Sequence, residues 1–118
     1  MDKNGAARLV ANYIAIWNES DDRLREALIE EVFTPDARYT DPNIAARGTS
    51  AIAGYLAGAQ RGFKGMHFTS GTVLAHHDAV HFSWQVGPAG GAPVVSGFDV
   101  AVFEDGRIAQ LYGFFTGY

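Results

Sequence analysis

The spacing of the apolar residues changes at Met66, and this change most constrains the fold. Before it, apolar side chains recur every three or four residues in three segments, which predicts three amphipathic helices. After it, apolar and polar residues alternate, which predicts four strands, and Asp105-Gly106 favours a tight hairpin between the last two. Helices followed by such strands predict an α+β fold, with the helices on one face of a curved, mainly antiparallel sheet.

Capping and turn residues give the predicted boundaries. The first helix has its apolar stripe over 9–17, and a cap within 20–22 begins the second, which ends before Pro35. Gly48-Thr49 begins the third helix, and Arg61-Gly62 ends it. The strands are predicted at 36–42, 66–78, 79–86, 93–104 and 107–117, with a flexible loop over 87–93. The inward positions of the second and third helices are expected to be Leu24, Ala27, Leu28, Val32, Ile52, Tyr55, Leu56 and Ala59.

Composition excludes several classes of function. A chain of 118 residues, 47% of them hydrophobic, predicts a single globular domain over residues 1–118. The net charge of −4 and the scattered Lys and Arg residues argue against a nucleic-acid partner. No segment resembles a secretory signal or a membrane span, so we expect a soluble, cytoplasmic protein. The sequence lacks cysteine and any HExxH, GxGxxG or P-loop pattern, so neither a metal nor another cofactor is expected.

Two aspartates occupy positions where a carboxylate needs an explanation. Asp41 precedes Pro42 at the end of the first strand, so it is either a surface turn residue or a carboxylate at the mouth of an apolar cavity. Asp99 lies mid-strand among apolar neighbours, where an unpaired carboxylate is costly. We therefore expect Asp99 to have a partner or to stay protonated, because its flanking sequence argues against a surface edge.

Other polar side chains have simpler explanations when taken alone. Tyr13 and Trp17 lie on the apolar stripe of the first helix, where packing is the ordinary role of such residues. Both faces of the strand that carries Asp99 are apolar, so we expect the helices to cover one face and a second subunit to cover the other, as a homodimer. Among the histidines, His76 and His77 are expected at a solvated hairpin tip.

Four segments resemble the NTF2-like superfamily, and within it the SnoaL-like polyketide cyclases and the ketosteroid isomerases. They are "YIAIWNESDD", "LIEEVFTPDARYTDP", "RGTSAIAGYL" and "VVSGFDVAVFEDGRIAQLYGFF". The resemblance covers nearly the whole chain and implies one SnoaL-like domain with a cone-shaped, cystatin-like fold. The run "DA-x-Y-x-DP" followed by "GT-x-AI" is characteristic of the superfamily at large, so it specifies the fold more strongly than the function.

The resemblance also implies a site and its chemistry. In ketosteroid isomerases, a helix tyrosine and a protonated strand aspartic acid form an oxyanion hole, and an aspartate before proline transfers the proton. Tyr13, Asp99 and Asp41 are at the matching positions. The implied substrate is a small apolar molecule that contains a carbonyl. The residues expected to contact it are Trp17, Phe33, Leu56, His67, Trp84 and Phe115.

Three functional interpretations remain open from the sequence. The first is an enzyme that transfers a proton next to a carbonyl, as an isomerase or as a cyclase in which Asp99 is the acid and base. The second is a module that binds a hydrophobic ligand without turnover. The third is an interaction protein that binds a partner through the outer face of its sheet.

Overall fold

The computed structural model describes residues 2–116 and contains three helices packed on one curved, unclosed six-stranded sheet. The helices are α1 (Lys3–Asn18), α2 (Asp22–Val32) and α3 (Thr49–Arg61). The strands are β1 (Phe33–Asp41), β2 (Ile44–Arg47), β3 (Met66–His76), β4 (Ala79–Pro88), β5 (Val95–Glu104) and β6 (Arg107–Phe115). The predicted last strand also included Gly117, which lies outside the described residues.

Side-chain caps begin the first two helices. The carboxylate of Asp2 accepts a hydrogen bond from the backbone N–H of Gly5 at 2.7 Å, and that of Asp21 accepts from Leu24 at 3.0 Å. Such caps satisfy backbone donors that have no partner within the helix. Helix α2 ends at Val32, earlier than Pro35 alone would require, because the chain is already extended from Phe33.

The strand order is β2-β1-β6-β5-β4-β3. All neighbouring pairs are antiparallel except β1 and β6, which run parallel. This pairing aligns Thr40 of β1 with Tyr112 of β6 and so places Asp41 beside the inner face of the sheet. The confirmed part of the prediction is the α+β class with a mainly antiparallel sheet.

The sequence pattern does not predict strand β2. It pairs with β1 through a two-residue turn, Pro42-Asn43, so that Asp41 lies opposite Ile44. The strand has only four residues, two of them alanines, which have weak β-propensity. Its pairing with β1 therefore depends on the turn more than on its own side chains.

Helix α2 matches its predicted inward face only in part, because Val32 is buried and Leu28 packs against the core, but Leu24 and Ala27 are exposed. Leu24 is 56% exposed, whereas Arg25 is only 2% exposed. The Arg25 guanidinium donates to the backbone oxygen of Glu19 at 2.8 Å and 3.1 Å, to Asp22 at 2.7 Å and to the side-chain oxygen of Gln60. A buried charge with this many acceptors is tolerated, so Arg25 takes the inward position that hydrophobicity alone assigns to leucine.

Arg25 belongs to a polar frame that holds the end of α1, and we call Asn18, Arg25 and Gln60 the frame residues. The Gln60 amide donates to the backbone oxygens of Trp17 at 2.9 Å and of Glu19 at 2.5 Å. The Asn18 amide pairs with β3, donating to the Phe68 oxygen at 2.9 Å and accepting from the Phe68 N–H at 2.8 Å. These bonds fix α1 relative to α2, α3 and the edge of the sheet.

The two faces of the sheet differ in what covers them. The face that carries Asp99 packs beneath the helices, as the alternation predicts, and Ala101 and Phe103 of the same strand are buried with it. On the outer face, Phe98 and Phe114 stack with ring centroids 4.9 Å apart and are 38% and 45% exposed. His81 stacks on Phe98 at 5.1 Å, so it points outward. Over residues 2–116, no helix has the length and apolar character needed to cross a membrane.

Candidate active site

A cavity of about 250 Å³ lies between the helices and the inner face of the sheet. Its walls are mostly aromatic, and its polar atoms come from two carboxyl groups, tyrosine hydroxyls and one asparagine. Among residues 2–116, no basic side chain contributes to its lining. The lining residues are Tyr13, Ile14, Trp17, Tyr39, Asp41, Asn43, Tyr55, Ala59, Phe63, Phe68, Trp84, Asp99, Gly113 and Phe115.

Asp41 is surrounded by hydrogen-bond donors. Its Oδ2 accepts from the hydroxyls of Tyr39 at 2.9 Å and Tyr55 at 2.8 Å, and its Oδ1 accepts from the backbone N–H of Asn43 at 2.8 Å. The bond to Asn43 closes the β1–β2 turn as an Asx-turn, so Asp41 is both a turn residue and a cavity residue. An ionised carboxylate only accepts hydrogen bonds, and three donors suit that form.

Asp99 is less exposed than Asp41 and has fewer hydrogen-bond donors around it. It is 4% exposed, and its Oδ1 accepts from the indole N–H of Trp84 at 2.9 Å. The indole reaches it by lying across Gly97, where a Cβ would be 2.7 Å from a ring carbon of Trp84 and 1.9 Å from the backbone oxygen of Phe114. Glycine at position 97 therefore makes the Trp84–Asp99 hydrogen bond sterically possible.

Tyr13 is the third polar group of the site. Its hydroxyl oxygen accepts from the indole N–H of Trp17, one turn further along α1, at 2.9 Å. Its ring packs edge-on against Phe33 and Phe82, with centroids 6.1 Å and 5.7 Å away. The ring is therefore fixed in the core, while the hydroxyl lines the cavity.

Burial sets the protonation of this group of residues. It raises the pKa of Asp99 from 3.8 to about 7; hydrogen bonds from Trp84 and Tyr13 lower this pKa, and the charge of Asp41 raises it. Burial also raises the pKa of Tyr13 and that of Tyr39 well above 10.0. Near neutral pH, the cavity thus holds neutral phenols and an aspartic acid that is partly protonated.

Gly113 of β6 separates the two carboxyl groups. A Cβ at this position would lie 3.1 Å from Oδ1 of Asp99 and 3.3 Å from Cβ of Asp41. The absence of a side chain lets both acids approach the same end of the cavity. One small ligand at this end can contact both of them.

Comparisons with known proteins identify the fold and the family. The sequence profile of the SnoaL-like domain matches residues 10–111. A crystal structure of a proposed isomerase of the SnoaL-like family from Agrobacterium tumefaciens is 31% identical, with a TM-score of 0.90, over 97% of this chain and 99% of that one. The chain belongs to the SnoaL-like family of the NTF2-like superfamily. No curated protein matches the sequence significantly.

More distant structures share the fold of this SnoaL-like domain. A proposed polyketide cyclase from Sinorhizobium meliloti is 23% identical over 90% of this chain and 93% of that one, with a TM-score of 0.71. A proposed ketosteroid isomerase from Kribbella flavida is 14% identical over 98% of this chain and 80% of that one, with a TM-score of 0.72. At these identities the likeness shows the architecture alone.

Within this SnoaL-like domain, three of the expected substrate contacts lie outside the cavity. Leu56 and Phe33 are fully buried in the core beneath it. His67 is exposed on β3, because the alternation of that strand turns Phe68 inward instead. These positions correct the expectation, whereas Trp17, Trp84 and Phe115 do line the cavity.

Several cavity residues of this SnoaL-like domain were not named as site residues from the sequence, although some of them had a readable signal. Tyr39 is two residues before Asp41, so both share one face of β1. Tyr55 and Ala59 are four residues apart on α3 and both line the cavity, one position away from Leu56. Phe68 is on the face of β3 opposite to His67, so the alternation of that strand places it inward, whereas Phe63 had no comparable signal because it lies in the turn after α3.

Proposed function

We propose that this SnoaL-like domain catalyses proton transfer next to the carbonyl group of a small, apolar, uncharged substrate, as an isomerase or cyclase. The observation that supports it is that Asp41, Tyr13 and Asp99 line one cavity in contrasting environments. Asp41 has only donors around it, which suits a general base. Tyr13 and Asp99 are buried and hold protons that a substrate oxygen can accept.

The reaction follows from these roles. Removing a proton beside a carbonyl places negative charge on its oxygen, and donors fixed in a water-poor cavity stabilise that charge. Oδ2 of Asp41 already accepts two tyrosine hydroxyls, whereas Oδ1 accepts one backbone N–H. Oδ1 therefore retains an acceptor position for the substrate proton. The same atom returns the proton at another carbon in an isomerisation.

Cavity size and charge restrict the substrate. An apolar cavity of about 150 Å³ holds one benzene ring, and the cavity here has about 250 Å³. We therefore propose that the substrate is a monocyclic or bicyclic compound and not a fused four-ring steroid. A free carboxylate or phosphate on the substrate is disfavoured, because the lining has two carboxyl groups and no basic side chain.

The test is exchange of α-protons for deuterium in cyclic and bicyclic enones, followed by NMR in heavy water. We expect the wild-type protein to catalyse exchange for at least one compound, and Tyr13→Phe to slow it roughly a hundredfold, as for loss of one oxyanion donor. Tyr112→Phe is the matched control, because Tyr112 is exposed on β6 and donates to Gln110. If compounds bind but their α-protons do not exchange, the result would favour the alternative interpretation, a module that binds a hydrophobic ligand without turnover.

We also propose that a second copy of the chain covers the outer aromatic stack formed by His81, Phe98 and Phe114. Large, exposed aromatic residues are typical of interface centres. Phe98→Glu is expected to weaken the dimer by about thirtyfold or more, which is the usual cost of losing a central anchor. Sedimentation equilibrium measures this, with Leu24→Glu on α2 as the control. A wild-type protein that stays monomeric at high concentration would refute the proposal.

A further inference from the structure

The chain has only two tryptophans, and both line the cavity. Each donates its indole N–H to one of the two proposed oxyanion donors. Trp17 Nε1 is 2.9 Å from the Tyr13 hydroxyl oxygen, and Trp84 Nε1 is 2.9 Å from Oδ1 of Asp99. An indole nitrogen can donate but cannot accept, so the direction of both bonds is fixed.

The first bond sets the direction of the Tyr13 proton. A phenol oxygen that accepts from an indole must turn its own proton away from that indole. Asp99 and Tyr39, which also line the cavity, both interact with the Tyr13 hydroxyl. The Tyr13 proton therefore points toward the polar end of the cavity and away from α1.

The second bond selects the oxygen that carries the Asp99 proton. A neutral carboxylic acid has one oxygen with a proton and one that only accepts. Because Oδ1 already accepts from Trp84, the proton of the neutral acid belongs on Oδ2. Without the indole, the proton could occupy either oxygen, and only one arrangement would serve as the donor to a ligand.

Both indoles are themselves firmly held. The backbone oxygen of Trp17 accepts from Gln60, and its ring packs on Phe68 with centroids 5.1 Å apart. Trp84 lies across Gly97 and packs edge-on against Phe115 at 5.7 Å. Donors with such restricted rings can orient a neighbour without a large loss of entropy at each turnover.

We propose that Trp17 and Trp84 are positioning residues, whose indole N–H groups direct the Tyr13 and Asp99 protons to one ligand oxygen. This inference rests on the proposed function for its role in turnover, but the orientation itself concerns the resting protein. Each indole acts on the ligand through the group that accepts its hydrogen bond. This effect is separate from the contacts that the two rings make as part of the cavity wall.

The two bonds have different effects on acidity. The titratable groups that face Asp99 are Asp41 from β1 and Tyr13 from α1, with Tyr39 next to both. The hydrogen bond from Trp84 lowers the pKa of Asp99, so its loss is expected to raise that pKa. The hydrogen bond from Trp17 lowers the pKa of Tyr13 and reaches Asp99 only through Tyr13, so its loss should change the pKa of Asp99 less than the loss of the Trp84 bond does.

The experiment replaces Trp84 or Trp17 by 3-benzothienylalanine, in which sulfur takes the place of the indole N–H while the ring shape is kept. Carbon-13 NMR of the side-chain carboxyl measures the pKa of Asp99, and titration with 4-nitrophenol measures binding of an acidic oxygen to the two donors. Exchange kinetics then separate kcat from KM. Trp84→Phe and Trp17→Phe are the genetic counterparts, and thermal unfolding checks that every variant is folded.

At position 84, we expect the pKa of Asp99 to rise by about one pH unit, and kcat and phenol affinity to fall about tenfold with little change in KM. At position 17, we expect the same falls in kcat and phenol affinity, with a smaller change in the pKa of Asp99 than at position 84. The inference would be overturned if replacement of Trp84 left both the pKa of Asp99 and the affinity for 4-nitrophenol unchanged. If no enone exchanges but these two quantities change as expected, the orientation is supported and only the proposed function fails.

Discussion

Asp41→Asn is expected to slow catalysed deuterium exchange by about a thousandfold, within the range typical for loss of a general base. The amide keeps the shape of the side chain and an oxygen for the N–H of Asn43, so the β1–β2 turn is preserved. It cannot accept a proton from carbon at neutral pH. Substrate binding should change little, so the loss is expected in kcat and not in KM.

Asp36→Asn is the matched control for Asp41→Asn. Asp36 lies on the same strand, β1, but its side chain is exposed and lies outside the cavity. We expect this variant to exchange protons at the wild-type rate. Exchange that persists in Asp41→Asn would remove Asp41 from the role of base and leave Asp99 as the remaining carboxyl group of the cavity.

Asp99→Asn is expected to stabilise the folded protein at pH 8. The pKa of Asp99 is about 7 in the folded chain, against 3.8 when exposed, so the folded state binds more protons between these values. The contribution of Asp99 to stability is therefore fully present below pH 3.8 and is lost as the pH rises through 7. Asparagine does not ionise, so the variant avoids a loss of up to about 4 kcal/mol.

Urea unfolding at a series of pH values from 4 to 8 measures this effect. The difference between Asp99→Asn and wild type should grow with pH, and Asp78→Asn, at an exposed turn, should show no such trend. The groups near Asp99 that also titrate, Asp41 and Tyr13, are present in both proteins. A stability difference that is independent of pH would show that Asp99 ionises normally in the folded state.

Periodicity was sufficient to predict the helices and the β3–β4 and β5–β6 hairpins, because these are local patterns. The alternation along β5 groups Asp99 with Gly97 on one face, and the pairing of Gly97 with Trp84 shows that this inner face also carries Trp84. The parallel pairing of β1 with β6 could not be predicted, since it joins segments about seventy residues apart and depends on tertiary packing. The inward face of α2 was predicted correctly at Val32 and Leu28 but not at Leu24, because a buried arginine with acceptors is indistinguishable from a surface arginine in sequence.

The sequence predicted some residues of the candidate site but not the hydrogen-bond donors around them. The family resemblance named Tyr13, Asp41 and Asp99, and all three line the cavity. The resemblance gave no information about the donors around them, because Tyr39 and Tyr55 contact Asp41 through the relative placement of β1 and α3. Hydrogen-bond partners depend on distances of a few tenths of an ångström, which spacing in a sequence does not determine.

The frame residues Asn18, Arg25 and Gln60 form hydrogen bonds with backbone atoms, and none of the three lines the cavity. The frame residues thus hold α1 in place, and a separate set of side chains lines the cavity. We therefore expect α1 to keep its place when Phe63 or Phe115 is exchanged for a smaller or more polar residue. Because different residues hold α1 and line the cavity, the domain is a suitable starting scaffold for changing which ligands the cavity accepts by laboratory evolution.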